Sequence, residues 1–328
     1  MNSLLLITLV APLLSLKANS HDIAERINSM QSTWKAQPNH VTERGIENLK
    51  KMLGARLEKI QFLPVKPERR LINLNIPDSF DARSKWPGCT TISSVKDQSD
   101  CGSCWAVAAA SSMSDRLCIA SGGKINVNIS SEQVLSCCSY CGDGCNGGYP
   151  DEAWKYASRA GIVSGGDYGS DEGCQPYAIS PCSSNPTKGL PRCVDDVDTP
   201  MCYRECTNIF YRRSFYNDLH KFQSPYRISS SVASIQAEIM ENGPVEAAFT
   251  VYADFNYYNR GVYQYTFGRA VGGHAIRIIG WGTENNVDYW LCANSWTPSW
   301  GEGGFFKIAR GTNECGIEDS VIAGLPDL

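Results

Sequence analysis

The chain has 328 residues, more than one average domain and fewer than three, with 42% apolar and 20% charged residues. That composition excludes intrinsic disorder and permits a large core. A formal charge of −4 and a pI near 5.7 argue against a nucleic-acid binder driven by phosphate contacts. Fifteen cysteines far exceed what a reduced cytosolic protein carries.

The N-terminus accounts for the cysteines. Leu4 to Leu16 is nearly all apolar and is followed by Lys17-Ala18-Asn19-Ser20, with Ala18 and Ser20 at the small-residue positions before a cut. This layout predicts a signal peptide over 1–20, because the run is too short to span a bilayer comfortably. No second run of spanning length follows, so no membrane span is expected. The destination is the secretory pathway, and from there the lysosome or the extracellular space.

Residues 21–75 read as a leader. They hold ten Lys+Arg against six Asp+Glu, or +4, whereas 76–328 hold nineteen against twenty-eight, or −9. A basic leader on an acidic body predicts a pairing held partly by charge, which acid would loosen. Ile23, Ile27, Met30 and Trp34 fall on one helical stripe. Ile46, Leu49 and Leu53 fall on a second, whose end Gly54 weakens. Pro64, Pro67 and the Arg69-Arg70 pair predict an exposed linker running to a new N-terminus near Ile76.

The body opens with helices. The alanine-rich run from Gly102 to Arg116, stopped by Gly122-Gly123, predicts a buried helix. Ser130-Ser131-Glu132-Gln133 predicts a capping box, Pro150 to Gly161 a third helix, and Ser234 to Asn242 a fourth. After Pro244 the chain turns β-branched and aromatic, and strands are expected over Val245–Tyr252, His274–Gly280, Val287–Ala293 and Phe305–Ala309. Helices first and strands after predict an α+β body of two subdomains around a cleft. Gly165 to Arg213, rich in Cys, Pro, Gly and Asp, reads as irregular chain held by cross-links.

Several chemistries are excluded first. There is no His-Glu-x-x-His zinc site and no Gly-x-Ser-x-Gly elbow. Gly142, Gly144 and Gly147 match Gly-x-Gly-x-x-Gly in spacing alone, with no preceding strand. What stands out is Gln98-Ser99-Asp100-Cys101-Gly102-Ser103-Cys104-Trp105-Ala106. Cys104 opens the alanine-rich helix, where the positive end favours a thiolate nucleophile. A base must take its proton. The body has two histidines, His220 in a polar loop and His274 at the start of an apolar strand, and His274 is the better base. Asn294 ends the next strand and offers an amide oxygen to hold the imidazole, with Trp296 covering that bond from water. Gln98 and the Cys104 backbone N–H are the candidate donors to an oxyanion.

Cys-Gly-Ser-Cys-Trp, Gly272-Gly273-His274-Ala275, Ala293-Asn294-Ser295-Trp296 and the stretch from Cys141 to Pro150 together resemble the papain-like cysteine peptidases, and within them cathepsin B. The resemblance covers almost the whole chain. It implies a papain-like fold with a helical N-terminal half and a β-barrel-like C-terminal half, and an endopeptidase made as a zymogen. The leader would act as an inhibitory propeptide containing Trp34. It also implies peptide and protein substrates, cystatin-type inhibitors, a monomer, and no metal or organic cofactor. Gly147, Gly148, Tyr149, Pro150, Ala275 and Trp296 would line the substrate cleft. Glu318 would sit at the base of a pocket and admit Arg at the second residue before the scissile bond.

Cys104 to His274 spans 170 residues, against about 130–150 in papain-type enzymes. The surplus fits an insertion over about 174–206, where cathepsin B carries a loop occluding one end of the cleft. That loop's histidine pair is absent, with Ser184 and Asn185 in its place. Its basic latch is Leu190, and the latch's acidic partner is Ser299. Weak or absent dipeptidyl-carboxypeptidase activity is therefore expected, with Lys188 or Arg192 as the available substitute cations.

Removing Cys104 from fifteen cysteines leaves fourteen. The resemblance leaves Cys315 unpaired, and Cys292 reads as a buried small hydrophobe. It pairs the rest as Cys89–Cys118, Cys101–Cys145, Cys137–Cys202, Cys138–Cys141, Cys174–Cys206 and Cys182–Cys193. The rival reading of Cys137, Cys138, Cys141 and Cys145 as zinc ligands is poor in an exported chain. Asn128-Ile129-Ser130 is a glycan acceptor if exposed, while proline bars Asn185-Pro186-Thr187. Two other classes remain open: a catalytically inactive binding module of the same fold, and a structural protein built on disulfides. The second leaves the ordered set Gln98, Cys104, His274 and Asn294 unexplained.

Overall fold

The computed structural model describes residues 19–58, 60–66, 75–183, 189–193 and 197–328. The apolar run before Ala18, the Arg69-Arg70 pair, Pro67 and the loop positions Ser184, Asn185 and Lys188 lie outside the described residues.

The leader begins with α1, Ser20–Met30, whose first turn is closed by a reciprocal bond between Asn19 and Asp22. Ile27 is fully buried, but Met30 is 52% exposed. Trp34 is not on that helix. It lies on the strand β1, Trp34–Ala36. The helical spacing of Trp34 is therefore coincidental, and its burial comes from a sheet. Helix α2, Ile46–Met52, buries Leu49 as expected. Gly54 stands beyond α2 and is there for closeness: a Cβ on it would collide with the Gly102 carbonyl.

The body starts with β2, Phe80–Asp81, and α3, Ala82–Lys85. Then comes α4, Cys104–Ala120, a helix buried nearly from end to end, as its alanines permit. Helix α5, Ser131–Cys137, is capped by the Ser130 side chain on the Gln133 N–H. The other half of the expected box is missing, because the Gln133 side chain accepts the Val163 N–H instead. Helix α6, Pro150–Arg159, has its proline in the first turn. Helix α7 begins two residues before its predicted start, at Val232, and runs to Asn242.

Strands β3, Lys221–Phe222, and β4, Tyr226–Arg227, are short. The sheet is built from β5, Val245–Tyr252; β6, Tyr258–Tyr263; β7, Ala270–Glu284; β8, Val287–Ala293; and β9, Phe305–Ala309. β10, Val321–Ala323, and β11, Pro326–Asp327, complete the chain. Three strand ranges match the sequence pattern. β7 is twice the predicted length, because its glycines pair as well as its apolar residues do.

The strand order is β1-β6-β9-β8-β7-β5-β10-β4, with β2 on β7. The leader thus supplies one end of the sheet, with Trp34 opposite Gly261 in an antiparallel pair. Two cores result. One joins Ile27, Trp34, Val41 and Leu49 of the leader to the sheet residues Phe249, Phe255, Trp296 and Trp300. The other packs α4 against α5 and α6. Among the described residues no helix is long and apolar enough to cross a membrane. The six disulfides join Cys89–Cys118, Cys101–Cys145, Cys137–Cys202, Cys138–Cys141, Cys174–Cys206 and Cys182–Cys193. The four cysteines of the zinc reading are therefore all oxidised, while Cys104, Cys292 and Cys315 are free thiols.

Candidate active site

Cys104 is the first residue of α4, and its sulfur is fully buried where the helical half meets the sheet. Burial pushes its thiol up to about 11, against the backbone N–H groups of Ala275, Gly54 and Trp105 that favour the anion. Two of those three donors come from outside α4. Ala275 is on β7, directly after His274, and Gly54 belongs to the leader. The sulfur and the imidazole therefore share one small region at the junction of the halves.

His274 Nε2 lies 2.8 Å from Asn294 Oδ1. An amide oxygen only accepts, so Nε2 carries the hydrogen and Nδ1 keeps its lone pair. Nδ1 has no partner among the described residues. Asn294 Oδ1 also accepts the Ser295 N–H at 2.8 Å, which fixes the amide's direction. Trp296 lies 4.7 Å from the imidazole between ring centres, tilted by 30°, and is 1% exposed, so it shields the His274–Asn294 bond from water. Burial lowers His274 to about 4, against the Asn294 bond that raises it. Under the leader the pair is a neutral thiol and a neutral imidazole.

Gln98 is fully buried, and its Nε2 donates at 2.8 Å both to the Met52 carbonyl of the leader and to the Cys101 carbonyl. Its Oε1 accepts from Ser295 Oγ at 2.7 Å. A leader carbonyl therefore occupies a position where Gln98 can bond an oxygen. Ser295 is a positioning residue that composition and spacing did not single out, although it stands beside Asn294 in the sequence.

The cleft residues fall around the leader's path. Gly148 donates to the Gly54 carbonyl at 2.9 Å and accepts from the Arg56 N–H at 2.8 Å. A Cβ on Gly148 would strike the Trp105 ring, and Gly147, at φ +107, passes the Gly54 carbonyl as closely. Glycine is needed at both positions. The Arg56 guanidinium stands 5.6 Å from the Tyr149 ring centre. Pro150 is buried in the first turn of α6. The Ala55 N–H donates to the Gly273 carbonyl at 3.1 Å. Across the cleft Arg44 of the leader pairs with Asp100. Lys66 pairs with Glu238 at 2.6 Å, and Arg116 reaches the same carboxylate at 2.8 Å. Although burial opposes it, Arg116 and Lys66 hold Glu238 down to about 2.

Glu318 does not face the cleft. It is 4% exposed, and its carboxylate accepts from Trp290 Nε1 at 2.9 Å, Gly311 N at 2.6 Å and Asn313 N at 2.9 Å. Three donors turn it into its own half, so the expected arginine-accepting pocket does not rest on it. Ser320, two residues further, borders the cavity instead. Asn128 is half-buried, and its Nδ2 donates to Glu172 Oε2 at 3.0 Å, a bond that a glycan would have to displace. Leu190 is 41% exposed. Ser299 bonds Thr297 at 2.7 Å and approaches His40 of the leader at 3.4 Å.

A buried cysteine at a helix start, in the same region as a histidine oriented by an asparagine, is the arrangement that nucleophilic thiol chemistry needs. Residues 76–325 match the model of the papain family cysteine proteases, and the chain belongs to that family. Within it the chain is similar to cathepsin B-like cysteine proteinases. "Cathepsin B-like cysteine proteinase 4" of Caenorhabditis elegans is 51% identical over 315 residues, covering 93% of this chain and 91% of that one. "Cathepsin B-like cysteine proteinase 5" of the same organism is 46% identical, with coverages of 93% and 90%. Among solved structures, procathepsin B S9 from Trypanosoma congolense superposes with a TM-score of 0.80 at 36% identity, covering 93% of this chain and 97% of that one. The fold is papain-like α+β, and the protein is a cysteine protease, a hydrolase of peptide bonds.

Proposed function

We propose that the chain is the zymogen of a cysteine endopeptidase of the secretory pathway, destined for the lysosome or the outside of the cell, with residues 1–20 as signal peptide, 21–75 as inhibitory propeptide and a mature enzyme beginning near Ile76. The observation that carries this is the leader's placement: Met52 offers its carbonyl to Gln98, and Gly54 brings its backbone to the Cys104 sulfur. A substrate carbonyl placed there would meet the sulfur and the donors together.

In the reaction, His274 Nδ1 takes the Cys104 proton and the sulfur adds to the scissile carbonyl. The oxyanion rests on Gln98 Nε2 and the Cys104 N–H. His274, held by Asn294, then protonates the leaving amine, and water clears the acyl-enzyme by the same steps in reverse. No metal or organic cofactor enters any of these steps. Cystatin-type inhibitors would compete for the groove that the leader fills.

Release of C-terminal dipeptides needs a fixed cation at one end of the cleft to hold a carboxylate. Leu190 and Ser299 provide neither charge of a latch, and Arg192 is exposed. Acid-treated protein should be labelled at Cys104 by an epoxide inhibitor and should cleave a blocked internal peptide at least tenfold faster than it removes a C-terminal dipeptide. An unlabelled Cys104 would favour an inactive binding module, and efficient dipeptide release would refute the loop reading.

A further inference from the structure

Beside Gly273 a cavity of about 610 Å³ opens between leader and body. The leader walls it with Ala55, Arg56, Leu57 and Glu58, and the body with Gly273, Ser320, Asp319 and Arg227. Once the leader leaves, only the body's wall remains, and a substrate side chain takes the leader's place.

The charges in that wall are few. Asp319 is exposed and its carboxylate is engaged by Asn313 Nδ2 at 2.6 Å. Arg227 differs. Its backbone is fixed by the Ile322 pairing within the sheet, to which the leader, while present, adds bonds with Pro64 and Lys66 at 2.9 Å and 2.8 Å. In its side chain the buried Nε finds no acceptor among the described residues. A buried guanidinium nitrogen without an acceptor is costly, and a carboxylate is the ligand that best relieves it. The leader places both Arg56 and Glu58 in the cavity wall, and the Arg56 guanidinium stands 5.6 Å from the Tyr149 ring centre. Glu318, the acid expected here, is turned inward, and Ser320 is neutral.

We propose that Arg227 makes this pocket selective for an acidic side chain, Glu or Asp, at the second residue before the scissile bond. The inference rests on the endopeptidase reading above and reverses the charge preference that Glu318 had suggested.

The test compares three internally quenched peptides that differ only at that residue, Glu, Gln or Leu, cleaved by the acid-matured enzyme at pH 6. Glu should exceed its isostere Gln on the order of tenfold in kcat/KM, the size of one charge-assisted bond. In Arg227→Ala that ratio should fall to about one. Arg227→Lys should restore part of the ratio. The Glu advantage should also fade toward pH 4, as the substrate carboxyl protonates. Equal Glu and Gln rates in the parent enzyme, or a ratio untouched in Arg227→Ala, would overturn the assignment of Arg227 while the Leu peptide still reports peptidase activity. Silence toward all three peptides would overturn the endopeptidase reading as well.

Discussion

Gln98 and Ser295 act as one unit. Gln98 spends its Oε1 on Ser295, which leaves its Nε2 aimed at the position where Met52 places a carbonyl. Loss of an oxyanion donor costs about 10²–10³ in kcat with little change in substrate binding. Gln98→Ala should show that loss in the mature enzyme. Ser295→Ala should show a smaller loss, on the order of tenfold, with KM unchanged. Peptide hydrolysis with kcat and KM resolved checks both, and a Ser295→Ala enzyme altered only in thermal stability would reduce Ser295 to a packing role.

The candidate residues for the chemistry were legible as residues, since Cys104, His274, Asn294 and Gln98 are marked by type and neighbours. Glu318 was not legible in the same way. A carboxylate in Cys315-Gly316-Ile317-Glu318 looks available, but the turn at Gly311 to Asn313 brings two backbone N–H groups onto it, and only coordinates reveal that.

At the scale of single elements, β7 carries the site. Three consecutive residues face three tasks: the Gly273 carbonyl takes a leader N–H, the His274 ring meets Asn294, and the Ala275 N–H meets the sulfur. β1 shows the opposite case, a short element whose role comes from its neighbours. Trp34 packs 5.2 Å from the Tyr263 ring and donates to the Gln264 carbonyl at 3.0 Å. Truncating a buried tryptophan costs about 3–5 kcal/mol. Trp34→Ala should therefore loosen the leader, so that the full-length chain unfolds at lower temperature and activates at a higher pH than the parent. The matured enzyme, which would lack β1, should unfold at the same temperature whichever precursor it came from.

The molecule as a whole is poised to respond to acid. The covered imidazole titrates at about 4, against about 6.5 for a free histidine. Removing the leader relieves part of that burial, so the covered state binds fewer protons than the uncovered one and leader affinity falls as pH drops below about 6.5. Glu238 adds to the effect lower down. Arg116 of the body holds its carboxyl down with or without the leader, and the further share that Lys66 adds favours the paired state and is lost as pH falls toward about 2. Activation of the purified full-length chain should accelerate steeply between pH 6 and 4, and Lys66→Ala should move that rise upward in pH. A rate independent of pH across the window would exclude His274 as the sensor.

The sequence by itself determined the class of protein and the order of the body's helices before its strands, and it singled out Cys104, His274 and Asn294 as candidates and a basic stretch over 21–75 ahead of an acidic one. All of these are written in residue type, local spacing and composition, which act over short stretches of chain. Only the tertiary structure decided that Trp34 joins the sheet edge rather than a helix, that Gly54 is a point of closest approach, that Ser295 steers Gln98, and that Glu318 is sealed while Arg227 faces an open pocket. Those facts depend on groups far apart in sequence that meet, such as Trp34 with Gly261 and Gln98 with Ser295, or, for Glu318, on how one turn folds back onto it. No local pattern encodes such meetings, because they are fixed by packing the two halves against each other.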